Sequence, residues 1–190
     1  MKKEDLRVKK TKLSLYNGLL SLMTKKPFES IKISEICNVS LVNRSTFYDH
    51  FNDKYELFQS YIEHLSVSLS EKLNVKVETS NINEYYLEFL KLLLDELSEN
   101  FTVYKAFLNN NLNSVARDMI EEVAVKNITK HVIENYDFPD IEMAKTGVQF
   151  YVDGTIGICT EEVKNSSSLN KEKLIEFFSS VVPNFNKEKK

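Results

Sequence analysis

The chain has 190 residues, 42% hydrophobic and 28% charged, the composition of a packed globular protein and not of a disordered one. No apolar run approaches the roughly 20 residues that span a bilayer, and no apolar stretch follows the basic start, Met1 to Lys10, to make a signal peptide. The chain therefore reads as cytoplasmic. Its net charge of −3 is unevenly divided: residues 1–60 hold 11 Lys/Arg against 7 Asp/Glu, and residues 61–190 hold 14 against 21. A basic third on an acidic remainder suits a molecule that meets a phosphate backbone with one end only.

With 4 glycines and 3 prolines the chain has few breaks, and its apolar residues recur at three- and four-residue spacing, so the expected fold is all-α with about nine helices. The first helix runs from about Glu4 to Thr24 and ends at Lys25-Lys26-Pro27. A connector holding Phe28 leads to a short second helix near Ser34–Val39, with Ser34 as its N-cap. Ser40-Leu41-Val42 is a tight turn. Asn43 is positioned to cap a third helix, Arg44 to about Phe51, and Asn52-Asp53 to cap a long fourth, Lys54 to about Asn74. Further amphipathic helices are expected at 82–98, 101–110, 114–136, 140–163 and 171–182, separated by polar breaks.

Cys37 and Cys159 lie 122 positions apart in apolar helical patterns. They make neither a disulfide framework nor a metal site and read as small buried hydrophobes. His64 and His131 have no second ligand at helical spacing, so no metal and no cofactor are expected. Three histidines and two cysteines assemble no nucleophile–base pair or phosphate loop, and no enzyme activity is expected.

Two short helices joined by a tight turn, with polar residues opening the second, meet the geometric need of major-groove reading. In Asn43–Phe51, Phe47 and Phe51 fall four apart on one face. Arg44, Ser45, Thr46, Tyr48 and His50 are left for the opposite, groove-facing side.

The run Ile36-Cys37, then Asn43-Arg44-Ser45-Thr46-Phe47-Tyr48-Asp49-His50-Phe51, then Asp53-Lys54-Tyr55-Glu56-Leu57, resembles the signature of TetR-type transcription regulators. The resemblance covers about residues 8–60. It implies a helix-turn-helix DNA-binding domain over 1–55 (the helix-turn-helix itself about 33–52) and a helical regulatory and dimerisation domain over 56–190. It also implies operator contacts from Arg44, Ser45, Thr46, Tyr48 and His50, with Lys54 on a phosphate and with Lys32 and Ser34 as further contacts. The turn lacks the glycine that many members place there, and Ser45 stands where many carry Gly or Pro.

Such a regulator binds double-stranded operator DNA as a homodimer, since two half-sites require a two-fold axis. The helix at 140–163, with Gly147, Gly154, Gly157 and Ile158, and the last helix, with Phe177, Phe178 and Val181, are the candidate dimer surface. Tyr85, Tyr86, Phe89, Phe101, Tyr104, Phe107, His131 and Phe150 are candidates to line a pocket for a small apolar or aromatic effector. Two controls stay open: a repressor released from its operator by a small molecule, or a regulator or activator governed by a protein partner.

Overall fold

A computed structural model describes residues 6–76, 82–109, 114–136 and 140–181, apart from the side chains of 70, 73–76, 103, 106–107, 109 and 114–117. The described residues form nine α-helices, one 3-10 turn and no β-strand. In chain order these are α1 (Leu6–Met23), the 3-10 turn (Phe28–Ser30), α2 (Ile33–Ser40), α3 (Arg44–Tyr48), α4 (Lys54–Lys76) and α5 (Ile82–Glu99). Then come α6 (Phe101–Asn109), α7 (Ser114–Asn135), α8 (Ile141–Asn165) and α9 (Lys171–Val181). No described helix is long and apolar enough to cross a membrane. The expected residues Glu4, Asp5 and Val182 lie outside the described residues.

Polar residues set the helix starts, in one case differently from expectation. Asp53 Oδ1 accepts the Tyr55 and Glu56 N–H groups at 2.8 Å each, and Glu56 Oε2 accepts the Asn52 N–H at 2.7 Å. These reciprocal bonds satisfy donors that the first turn of α4 leaves open. Asp140 Oδ1 does the same for the N–H groups of Glu142 and Met143 at the start of α8. The α2 start corrects the sequence expectation: Lys32, not Ser34, is the N-cap residue. The Lys32 N–H donates to Glu35 Oε2 at 2.9 Å, and Lys26 Nζ holds both Glu35 oxygens at 2.6 Å. Those contacts hold the exposed Glu35 carboxyl below its usual range, the Lys26 hydrogen bond first. Ser34 falls inside the first turn and stays exposed.

Two strips of apolar packing organise the rest. In the first, Leu15, Leu19 and Met23 of α1 meet Phe28, Ile31, Ile36, Phe47, Phe51, Leu57 and Phe58, all nearly free of solvent contact. Val123 of α7 closes this core, which continues past residue 55 along α4 as far as Ile62. In the second, α5 packs on both sides. Leu90 and Leu94 meet Cys159, Leu174 and Phe178 of α8 and α9, while Tyr85 and Leu92 meet Leu69 and Tyr136. Val132 of α7 meets Val148 and Val152 of α8. Both cysteines are free and buried, and burial pushes the Cys159 thiol up to about 12.

One glycine is required by close approach. A Cβ at Gly18 in α1 would stand 2.0 Å from Ser40 Oγ, 3.2 Å from Ser40 Cβ and 3.3 Å from the Ile36 carbonyl oxygen. Ser40 Oγ is itself buried without a hydrogen-bond partner among the described residues. Gly18→Ala gains about 1 kcal/mol of helix propensity but overpacks the α1–α2 contact, at a cost of about 1–3 kcal/mol. Urea denaturation should show Gly18→Ala destabilised, and adding Ser40→Ala should restore at least the wild-type midpoint. A double variant no more stable than Gly18→Ala alone would contradict this contact.

Candidate nucleic-acid interface

The turn between α2 and α3 is a Schellman motif. The Val42 N–H bonds the Cys37 carbonyl at 3.0 Å and the Leu41 N–H bonds the Asn38 carbonyl at 3.3 Å. The motif needs a left-handed residue after the helix, and Leu41 supplies it with φ 55° and ψ 36°. It is the one non-glycine residue with positive φ among those described. Its side chain is 93% exposed, so no burial offsets the backbone strain. Val42 turns inward against the first core.

α3 then presents two faces. Phe47 is fully buried and Phe51 nearly so, with ring centroids 5.9 Å apart. Arg44, Ser45 and Tyr48 are exposed, while Thr46 and His50 are half-buried. Arg44 and Tyr48, one turn apart, pair with each other. The guanidinium donates to the Tyr48 hydroxyl at 3.3 Å and its carbon lies 5.6 Å from the ring centroid. Lys32 and Ser34 are exposed at the start of α2. The helix itself is shorter than expected, Arg44–Tyr48, because after Tyr48 the chain tightens. His50 and Phe51 both bond back to the Phe47 carbonyl, at 3.0 and 2.9 Å. Asn43 occupies the N-cap position, but its side chain makes no cap bond, which corrects the role expected of it.

Lys54 departs further from expectation. Its ammonium does not face outward to a phosphate; its side chain is 13% exposed. Nζ donates to the carbonyls of Phe28, Glu29 and Ile31 at 2.9, 2.8 and 3.2 Å, and lies 4.9 Å from the Phe28 ring centroid. The Glu29 carboxylate stands 3.9 Å away, and Tyr55 donates to the same carboxylate at 2.6 Å. Lys54 thus ties the start of α4 to the 3-10 turn that leads into α2. Sequence spacing carried no sign of this, because the three carbonyls lie 23 to 26 residues upstream.

The other candidate residues are placed as follows. Gly154 is exposed, Gly147 and Gly157 are half-buried, and a Cβ at any of the three would meet nothing within 4 Å. Phe150 is 72% exposed, Phe177 44% and Val181 48%, and Met143 on the same run of α8 is 67% exposed. Phe178 is corrected: at 3% exposure it belongs to the chain's own core, with Ile158 packed beside it.

Several of the candidate pocket side chains pair with one another. The Tyr85 and His131 rings stack face to face at 3.9 Å, with Tyr136 edge-on. Phe89 packs beside this group. Tyr86 bonds Thr155 at 2.6 Å and sits against Tyr151. Lys105 lies over the Phe101 ring, and the Phe107 side chain is outside those described. Tyr104 lines an open cavity formed between α1, α4, α5 and α6.

No family model matches the chain. It is 34% identical over 113 residues to the uncharacterized HTH-type transcriptional regulator YxbF of Bacillus subtilis (strain 168), a match that covers 57% of this chain and 28% of that protein. This chain therefore spans less than a third of the length of that relative. Among solved structures, Lin0861 from Listeria innocua superposes with a TM-score of 0.72 at 20% identity, covering 94% of this chain and 92% of that one. A TetR transcriptional regulator from Streptococcus agalactiae 2603V superposes with a TM-score of 0.62 at 20% identity, covering 92% and 94%. The chain has the all-α fold of TetR transcriptional regulators.

Lys54→Met, which keeps the stem and removes the donors, should lower folding stability by about 1–3 kcal/mol, the range for lost charged hydrogen bonds. The salt dependence of any duplex binding should be unchanged. A variant of full stability whose salt slope falls by about one phosphate contact would make Lys54 a phosphate contact instead.

Proposed function

We propose that this chain, with its TetR-type fold, is a DNA-binding transcription regulator that reads an operator through α2 and α3 as a homodimer. The observation that carries the reading is the division of α3. Its two aromatics are locked in the core, and Arg44, Ser45 and Tyr48 are held outward on the next face. A rigid anchor with polar groups at the helix N-terminus is what base reading in the major groove requires. Lys32 and Ser34 at the opening of α2 are exposed and suited to backbone contacts that fix register. The half-buried Thr46 and His50 have less reach; their part is at the edge of the groove-facing surface.

A two-fold partner is supported by the apolar face left open on α8 and α9. Met143, Phe150, Phe177 and Val181 are exposed, beside glycines whose Cβ positions are empty. A second copy that covers these residues would allow close helix approach at Gly147, Gly154 and Gly157. Residues 1–55 then serve as the DNA-facing unit and 56–190 as the dimerising and sensing unit. Release of the operator by a small molecule is the preferred control, since a cavity lies where α1 meets α4, α5 and α6.

Selection from random duplexes followed by sedimentation tests this reading. The wild-type chain should enrich a palindromic sequence bound by two chains per duplex. Arg44→Ala should reduce the preference for the enriched sequence over random duplex by about 10-fold to 100-fold, as loss of one bidentate base contact does. Tyr48→Ala should weaken binding to all sequences alike. No enrichment by the wild-type chain, or equal behaviour of Arg44→Ala, would contradict it.

A further inference from the structure

The open cavity has a volume of about 550 Å³, within the range of small-molecule sites. It lies at the seam where α1 of the DNA-facing helices meets the middle of α4, the end of α5 and the start of α6. Its walls combine three tyrosines, Tyr16, Tyr61 and Tyr104, with His64, Asn100 and Glu96. Tyr16 is the hub: its ring lies 5.8 Å from Tyr61 and stacks on His64 at 5.7 Å, and its hydroxyl pairs with Ser60 at 2.7 Å.

Glu96 is the one carboxylate among the described lining residues. Asn100 Nδ2 donates to its Oε1 at 2.9 Å and the Tyr104 hydroxyl donates to the same oxygen at 3.3 Å. Burial raises Tyr61 and Tyr104 above the ordinary phenol range, so both rings stay neutral and keep their electron-rich faces.

We infer that this cavity binds a small organic monocation, an amine or quaternary ammonium with an apolar body, through Glu96 and the tyrosines that line it, Tyr16, Tyr61 and Tyr104. The chemistry discriminates among ligand classes. A cation over tyrosine faces gains about 0.5–2 kcal/mol, more as water is excluded, and a nearby carboxylate adds its own attraction. An anion would be repelled by Glu96. A neutral body of the same shape would remove water from that carboxylate and return nothing for it. A divalent metal is a poor fit to a single carboxylate, since it asks for several oxygen donors.

The position of the site connects it to the operator surface, an inference that rests on the regulator reading above. The Tyr16 ring lies 6.5 Å from Phe51, and Phe51 lies 5.9 Å from Phe47, the anchor of α3. A ligand wedged between Tyr16 on α1 and Tyr104 on α6 therefore bears on the aromatic chain that orients α3. It shifts DNA affinity by as much as it prefers one arrangement of that chain over the other.

The test uses the full chain and benzyltrimethylammonium, with neopentylbenzene as its neutral isostere, followed by calorimetry or by fluorescence of the nine tyrosines, there being no Trp. The cation should bind about 10-fold tighter than the isostere, and Glu96→Gln should weaken the cation by about 10-fold while leaving the isostere unchanged. Tyr104→Leu, a second variant, should also weaken the cation. The cation should lower affinity for the selected duplex in the wild-type chain and not in Glu96→Gln. Equal binding of cation and isostere, an unaffected Glu96→Gln, or no saturable cation binding up to about 10 mM, near the weak limit of measurable affinity, would overturn the site. Duplex binding without cation binding overturns this inference and leaves the regulator reading intact. Cation binding without duplex binding does the reverse.

Discussion

A helix of five residues has no stability of its own, because one turn fixes several dihedrals for a single hydrogen bond. α3 is such a helix, Arg44–Tyr48. What holds it is the burial of Phe47 and Phe51 against α1 and α4, in a core that also takes Leu15, Leu19, Leu57 and Phe58. Burying two phenylalanines removes enough apolar surface for about 1.5–3 kcal/mol each, and it also fixes which way the helix faces. Every outward property of α3 follows from that: Arg44 and Tyr48 are presented because the intervening Phe47 is held. The same core extends along α4 and takes Val123 of α7, so the presenting surface is mechanically continuous with the rest of the bundle.

Charge assists where apolar packing cannot reach. The stretch from Pro27 to Lys32 has little regular backbone bonding, and Lys54 satisfies three of its carbonyls from the far side. The Lys26–Glu35 and Tyr55–Glu29 contacts fasten the same stretch at its other corners. These groups are partly exposed, so solvent and salt weaken each attraction; their value is geometric. They set the angle at which α2 leaves the 3-10 turn, and α2 in turn sets the distance from α1 to α3.

Helix order was readable in the sequence because the chain is poor in glycine and proline, and among the described residues the polar pairs Asn52-Asp53, Glu99-Asn100 and Asn165-Ser166 mark boundaries. The all-α architecture and the division of α3 into anchor and surface were both legible, since the i, i+4 pair Phe47 and Phe51 has one consistent reading. Caps were less legible. At the start of α2, Ser34 and Lys32 competed, and the Lys26–Glu35 ion pair decided for Lys32 through a contact nine residues long. The carbonyl contacts of Lys54 and the cavity between α1, α4, α5 and α6 were not legible at all. Periodicity tells which face of a helix is apolar, but not whether aromatics on different helices stack, as Tyr85 and His131 do, or line an open cavity, as Tyr16 and Tyr104 do. That difference arises from how helices distant in sequence cross.

The central claim is that the outward face of α2 and α3, held by the Phe47–Phe51 anchor, is the surface that meets DNA. Amide hydrogen exchange of the full chain with and without its selected duplex measures this directly. The account predicts new protection concentrated in residues 32–35 and 41–50, with the buried stripe of α1 and α4 already slow to exchange in both states. Protection that leaves those residues unchanged and falls elsewhere on the chain would contradict it.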